Sequence, residues 1–256
     1  MNRDIPMSYV AFDIETTGLN PKVDKIIEIG AVRIRDGEVA GTFSSFVNPA
    51  RSLPERIVEL TGIQDSDVKD APYMEDILDD FLAFLGEDVL LGHNLLFDYS
   101  FVKKAAVNHK KTFEKSGIDT LRIAKRFLND LASRNLGYLC EYYHIELEAH
   151  RALNDAVAAH ELYQILVSAY GEREAEPFQP KPLVYTVKKE SPITPKQLEL
   201  LMKLAVQYHL RCDGCVLGPV DNVTQESVDL QKITKNEASR LIDLLLANFR
   251  RSRPSS

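Results

Sequence analysis

The sequence predicts a mixed α/β sheet with helices packed on it, followed by a small, mainly helical C-terminal module. Three observations carry that expectation. β-rich segments come first, short strands then alternate with helical patterns, and a charged, proline-bearing stretch sets the last helices apart. A length of 256 residues with 45% hydrophobic and 27% charged content suits one large domain with a smaller companion. With 12 Gly, 12 Pro and 3 Cys, the chain is not collagen-like, disulfide-scaffolded or wholly disordered.

The elements follow in order. Ser8 to Ile14 is β-rich, and Lys25 to Arg35 continues with β-branched, partly alternating residues. Asp36-Gly37 reads as a hairpin turn into Glu38 to Val47, which makes a three-stranded meander. Asn48-Pro49 ends that strand, and Pro54 opens a short helix through Leu60. Ile77, Leu78, Phe81, Leu82 and Leu85 fall at helical spacing, with Gly86 as the stop. Asp88 to His93 is a short buried strand before a helix over Phe97 to His109. Gly117-Ile118 is another strand, before a helix from Asp119 to about Leu131. Asn135 caps a helix through Tyr143, and Arg151 to Tyr170 forms a long amphipathic one.

Gly171 to Pro182 carries charge and three prolines without apolar periodicity, as a linker does. The expected organisation is therefore a domain over 1–171, a linker over 172–192 and a module over 193–256. Within the module a helix runs over Ser191 to Leu210, and a second over Thr234 to Phe249 opens with Thr234 and Glu237 placed as a capping box.

Net charge is −7 and uneven: 19 basic and 30 acidic residues lie up to Pro180, 12 and 8 beyond it. A net-negative chain is not an obvious partner for a polyanion, so a nucleic-acid reading requires local positive charge from metals or from the basic end. The segment MNRDIPMSYV lacks an apolar signal core, and no uncharged apolar run approaches the roughly 18–20 residues of a membrane span. Cys140, Cys212 and Cys215 are too sparse for a disulfide framework, which makes a reducing cytoplasm the expected location, with no membrane partner.

Chemistry concentrates in three segments. In VAFDIETTGL, strand alternation puts Asp13 and Glu15 on one face and Phe12 and Ile14 on the other. Adjacent carboxylates repel unless cations neutralise them, and oxygen ligands suit Mg²⁺ or Mn²⁺. Taken alone, the pair reads more simply as a solvated sheet face. In LLGHNLLFDYSF a strand ends at Gly-His-Asn and a helix then carries Asp98, which could equally be a dipole partner. In HRALNDA, His150 stands at a helix entry and Asp155 lies further in; a surface His and a helical Asp would look the same. Their i, i+5 spacing shares no helix face, so His150 would have to reach in from the preceding loop.

Together, Asp13-x-Glu15, Gly92-His93-Asn94-x-x-Phe97-Asp98 and His150-x-x-x-x-Asp155 resemble, in order and context, the DEDDh (DnaQ-like) 3′–5′ exonuclease family. The resemblance covers roughly Tyr9 to Ala169 and includes Leu60-Thr61-Gly62-Ile63, Ile118-Asp119-Thr120 and Arg151-Ala152-Leu153. It is greatest to the proofreading exonuclease domains of replicative polymerases, of epsilon and PolC type. The fold so implied is ribonuclease H-like.

By that resemblance Asp13, Glu15, Asp98 and Asp155 would hold two divalent ions, Mg²⁺ or Mn²⁺, and His150 would be the general base. The reaction implied is release of nucleoside 5′-monophosphates from a 3′ end. The backbone around Thr16 and Thr17 would contact the terminal nucleotide, Leu19 would wedge against its base, and Asn94 and Phe97 would support the 3′ end. DNA, as a single strand, is favoured over RNA as partner, with a DNA polymerase or another replication or repair protein as a companion. An RNA-trimming enzyme and a non-catalytic binding or scaffold protein are the alternatives. His209-x-x-Cys212-Asp-Gly-Cys215 is half of a zinc pattern with no second half, so two free thiols are expected; Cys140 reads as core. Arg250, Arg251 and Arg253 form a basic end that suits a solvated terminus or nucleic acid.

Overall fold

A computed structural model describes residues 5–147, 150–220, 224, 227–231 and 233–251. Most strands and helices of the first 170 residues arise where apolar periodicity placed them; the short helix at Asp65–Val68 was not expected. β1 (Tyr9–Thr16), β2 (Ile26–Arg35) and β3 (Glu38–Phe46) form the antiparallel meander, followed by α1 (Glu55–Thr61), α2 (Asp65–Val68) and α3 (Met74–Leu85). Then β4 (Leu90–Gly92), α4 (Leu95–Asn108), β5 (Ser116–Asp119), α5 (Thr120–Phe127), α6 (Leu136–Tyr143) and α7 (Ala152–Tyr170) alternate as expected. Asn135 caps α6 by accepting from the Tyr138 amide at 2.8 Å, and Asp119 caps α5 through the Leu121 amide at 2.9 Å.

β6 (Lys181–Pro182) completes a six-stranded sheet of order β3-β2-β1-β4-β5-β6, in which β1, β4 and β5 run parallel. Each face of the sheet carries its own core. Tyr9 and Ala11 of β1 with Val32 and Ile34 of β2 pack under α5, α6 and α7. Val10, Phe12 and Ile14 with Ile29 and Ala31 pack against α3 and α4. Period-2 alternation along β1 and β2 therefore decides which side chains meet α7.

The linker expectation fails over its first half. A 3₁₀ turn at Glu176–Phe178 seats Phe178, 0% exposed, near Phe127 and Tyr163, and β6 then pairs antiparallel with β5. Leu183 and Tyr185 also pack on the core facing α3 and α4. Buried Phe178, the β5–β6 pairing and the apolar contacts of Leu183 and Tyr185 together anchor a run whose average composition is that of a spacer.

The chain divides into two compact units: Met1–Pro49 with Leu53–Val187, and Lys188–Ser256 with Ala50–Ser52. The second contains α8 (Pro195–Gln207), β7 (Cys212–Asp213), β8 (Val216–Leu217), β9 (Val228–Asp229) and α9 (Lys235–Arg251). The expected helices are joined by a small antiparallel sheet of order β7-β8-β9 that the Gly- and Pro-marked sequence between them did not announce. The Thr234–Glu237 capping box forms, with the Glu237 amide donating to Thr234 Oγ1 at 3.2 Å and the Thr234 amide to Glu237 Oε2 at 2.9 Å. Leu201, Leu204, Leu217, Leu230, Leu241 and Leu245 are the heart of this unit's core. The side chains of the basic cluster Arg250-Arg251-Arg253 lie outside the described residues. Among the described residues no helix is long and apolar enough to cross a membrane.

Candidate active site

Asp13 and Glu15 continue the parity of Tyr9 and Ala11, so their carboxylates point toward α7, as alternation predicts. Across the β1–β2 pair, Asp13 lies opposite Gly30 and Glu15 opposite Glu28. A register irregularity follows between Glu15 and Thr16, after which Thr16 pairs with Ile26. β1 and β4 are parallel, so the carboxyl end of β1 is also where β4 hands the chain to α4. The first turn of α4 there carries Asp98, 2% exposed, whose Oδ1 accepts a hydrogen bond from the Ile14 amide at 3.3 Å.

The third segment arrives on α7. Asp155 occupies the first turn of the helix, where an acidic group is favoured by the helix dipole. Its Oδ2 accepts from the His150 amide at 2.9 Å. His150 itself has φ 66°, a left-handed conformation that costs a non-glycine residue roughly 1 kcal/mol or more, and its side chain is exposed. It thus stands in the loop before the helix, as the i, i+5 spacing requires.

Carboxylate oxygens of Asp13, Glu15 and Asp155 all lie within 4.8 Å of one another. Asp98 is outside that group of three but borders it, since its charge bears on Asp13. Four acidic groups from three distant segments therefore lie near one another. Burial first, and the charges of Asp98, Asp155, Glu15 and Glu28 second, hold Asp13 well above the usual carboxylate range. Burial, then Asp155 and Glu28, push Glu15 to about 8. Asp98 is raised by burial despite its backbone hydrogen bonds, and Asp155 is raised by burial despite the His150 amide. So much compressed negative charge is unfavourable unless a cation neutralises it. Hard oxygen donors at this spacing fit a divalent ion such as Mg²⁺ or Mn²⁺.

The expected substrate-contact residues lie around this cluster. Thr16 and Thr17 are buried: Thr16 Oγ1 donates to the Gly18 carbonyl at 2.7 Å, while the Thr17 amide donates to the Lys25 carbonyl at 2.8 Å. Both are engaged in holding the loop after β1, which leaves Leu19 at its tip 77% exposed. Asn94 is exposed at the N-cap of α4 with φ 69°, and its amide donates to Asp119 Oδ1 at 2.9 Å. Phe97 is half-buried and packs on Phe101 with ring centroids 5.1 Å apart. His93 is tied between Thr120 Oγ1 at 2.9 Å and the Arg134 carbonyl at 2.8 Å, a supporting position.

The motifs missed Glu28. Its signal is nevertheless in the sequence, as one acid within the apolar run Ile26-Ile27-Glu28-Ile29. Elsewhere, Cys140 is buried as expected, Cys212 opens β7 and Cys215 lies in the β7–β8 turn, both as free thiols. Among the described residues His209, Cys212 and Cys215 do not gather into a ligand set.

Comparison with known proteins agrees with this geometry. DNA polymerase III PolC-type of Clostridium perfringens is 43% identical over 155 residues, which are 60% of this chain and 11% of that protein. Its Bacillus subtilis counterpart is 40% identical over 157 residues, 59% of this chain and 11% of that protein. The chain thus spans about a ninth of the length of these relatives. Among solved structures, the nuclease domain of 3′hExo, a DEDDh family member bound to rAMP, shares the fold with TM-score 0.56 at 19% identity. That alignment covers 70% of this chain and 98% of the other. Exonuclease X in complex with 5′ overhanging duplex DNA aligns with TM-score 0.54 at 22% identity, covering 66% and 99%. Because residues 10–163, well over half of the chain and all three carboxylate segments, match the exonuclease family of RNase T, the chain belongs to that family.

Proposed function

We propose that this protein is a divalent-metal-dependent 3′–5′ exonuclease that removes nucleoside 5′-monophosphates from single-stranded DNA ends. The observation that carries the reading is the convergence of Asp13, Glu15 and Asp155 within 4.8 Å beside buried Asp98, with His150 at the rim. Asp13, Glu15, Asp98 and Asp155 would hold two divalent ions. Ions there supply positive charge for the phosphodiester and acidify water, which also answers the objection that a net-negative chain repels a polyanion. A ring nitrogen of His150 takes the proton of the attacking water. Buried Asp98 and the Ile14 amide keep the end of β1 in place against α4. Leu19, exposed at the tip of its loop, packs against the terminal base, Asn94 and Phe97 line the approach of the 3′ end, and the backbone near Thr16 and Thr17 borders it. DNA is preferred over RNA because the relatives are DNA polymerases III of PolC type. A polymerase or another replication or repair protein is the companion that preference suggests, and the second unit is a candidate for docking it or for holding substrate.

The test is mononucleotide release from matched 5′-labelled single-stranded DNA and RNA with Mg²⁺, Mn²⁺ or chelator, beside Asp13→Ala. Metal-dependent shortening of DNA that the variant lacks is expected. Faster shortening of RNA would retain the chemistry and replace the substrate. Cleavage of neither strand with either metal would refute the reading.

A further inference from the structure

We propose that Glu28 and Arg151 are a positioning pair that sets the first turn of α7 and, through it, the Asp155 carboxylate and the His150 loop. The inference rests on the exonuclease reading and deepens it.

Glu28 is 2% exposed, in the middle of an apolar strand and directly opposite Glu15. Its charge burdens the site, raising Asp13, Glu15 and Asp155 alike. A buried acid in such company needs strong partners, and it has them. Oε2 accepts from the Ala152 amide at 3.1 Å; Oε1 accepts from Arg151 Nε at 3.2 Å and Nη2 at 3.0 Å.

The Ala152 amide is one of the donors a helix start leaves without an intrahelical acceptor. The N-cap side chain of α7, Arg151, does not supply that cap; a strand 124 residues away does. The guanidinium also lies over the Phe46 ring of β3 at 5.4 Å.

Gly30, two residues along the same face of β2, brings the strand and the helix into direct contact. A Cβ there would sit 2.0 Å from the Leu153 nitrogen and 2.2 Å from the Ala152 carbonyl carbon. Residues 150–155 are thus held at Glu28, at Gly30 and at the His150–Asp155 hydrogen bond. Lateral movement of this turn would displace Asp155 relative to Asp13 and Glu15, and change the reach of His150.

The test compares Glu28→Gln, Arg151→Ala and Arg151→Lys with wild type in the full chain. Glu28→Gln keeps an acceptor for Ala152 but removes the ion pair, and Arg151→Lys keeps the charge without the fork. Three quantities are read: kcat and KM on the p-nitrophenyl ester of thymidine 5′-monophosphate, Mn²⁺ affinity by calorimetry without substrate, and melting temperature. Groups that touch metal-binding side chains characteristically contribute about 10–100-fold, and a pair acting one contact further out belongs at the lower end of that range. Arg151→Ala is expected to lower both kcat and Mn²⁺ affinity within that range with KM nearly constant, and Arg151→Lys to recover part of each. A lower melting temperature with kcat and Mn²⁺ affinity unchanged would overturn the proposal, because a merely structural ion pair predicts that pattern. Should Glu28→Gln not fold, the two Arg151 variants decide alone. Should wild type hydrolyse nothing, the exonuclease reading fails, while the Mn²⁺ titrations still judge the positioning role.

Discussion

The two units of this chain bury different things. In the first, Glu28, Asp98, Lys103, Asp155 and His160 are buried beside the aliphatic core. In the second, the buried hydrophobic residues are Leu201, Leu204, Ala205, Leu217, Val220, Leu230, Ala238, Leu241, Ile242 and Leu245, and among the described residues no charged one is buried. Removal of a carboxylate from water is unfavourable, and several side by side are more so. The first unit therefore holds its acids in place through the stability of the surrounding fold, a pattern of active sites. The second is an ordinary apolar core, small enough to be sensitive to single truncations.

Substitutions that exchange function for stability test that contrast most severely. Asp13→Asn removes a charge from the cluster and is expected to reduce nucleotide release at least about 10²-fold. The same variant in chelator should melt above wild type at alkaline pH, because the repulsion it relieves is greatest there. A variant that loses activity and also melts lower would show the carboxylates to be net stabilising without metal, and the contrast would break. Truncation in the other core has the opposite signature. Leu201→Ala should destabilise the second unit by about 2–5 kcal/mol, while ester hydrolysis stays within about twofold of wild type. Denaturant titration and the ester assay check the two halves of that statement.

A smaller effect sharpens the comparison through pH. Glu15 has a folded-state pKa of about 8 against an ordinary value of 4.5, so between those pH values the folded protein holds a proton that the unfolded chain has released. Stability contributed by this group is complete below about pH 4.5 and declines as pH rises toward 8; Asp13, Asp98 and Asp155 act in the same direction. Melting temperature in chelator should fall over that window, and Mn²⁺ should flatten the decline by replacing protons. A profile identical with and without Mn²⁺ would mean that these carboxylates hold no metal. Smallest in stability is Leu19→Ala. With the side chain 77% exposed, the expected change is within about 0.5 kcal/mol, with the loss appearing as a raised KM for oligonucleotides. An unchanged KM would remove Leu19 from the substrate path.

Much of this was legible in one dimension. Strand alternation put Asp13 and Glu15 on a common face; capping chemistry marked Asn135 and Thr234; motif order named Asp98, His150 and Asp155. Composition alone misread the residues after Gly171, because the ring contacts of Phe178 with Phe127 and Tyr163, and the pairing of β6 with β5, outweigh the charged and proline-rich neighbours. Glu28 was overlooked for a related reason: an acid in an apolar strand has no meaning until its partner is known, and Arg151 lies 123 residues away.

What the sequence by itself determined is everything set by short-range geometry: the period of each strand and helix, the face each carboxylate takes, and the hard-oxygen character of the donor set. What only the tertiary structure decided is their meeting: Asp98 against the Ile14 amide across 84 residues, Asp155 within reach of Asp13 and Glu15, and the first turn of α7 seated on Gly30. Local pattern follows from backbone sterics and side-chain periodicity, which act over a few residues. The distances between carboxylates, and hence their raised pKa values and their fit to a cation, depend on packing between segments far apart in the chain.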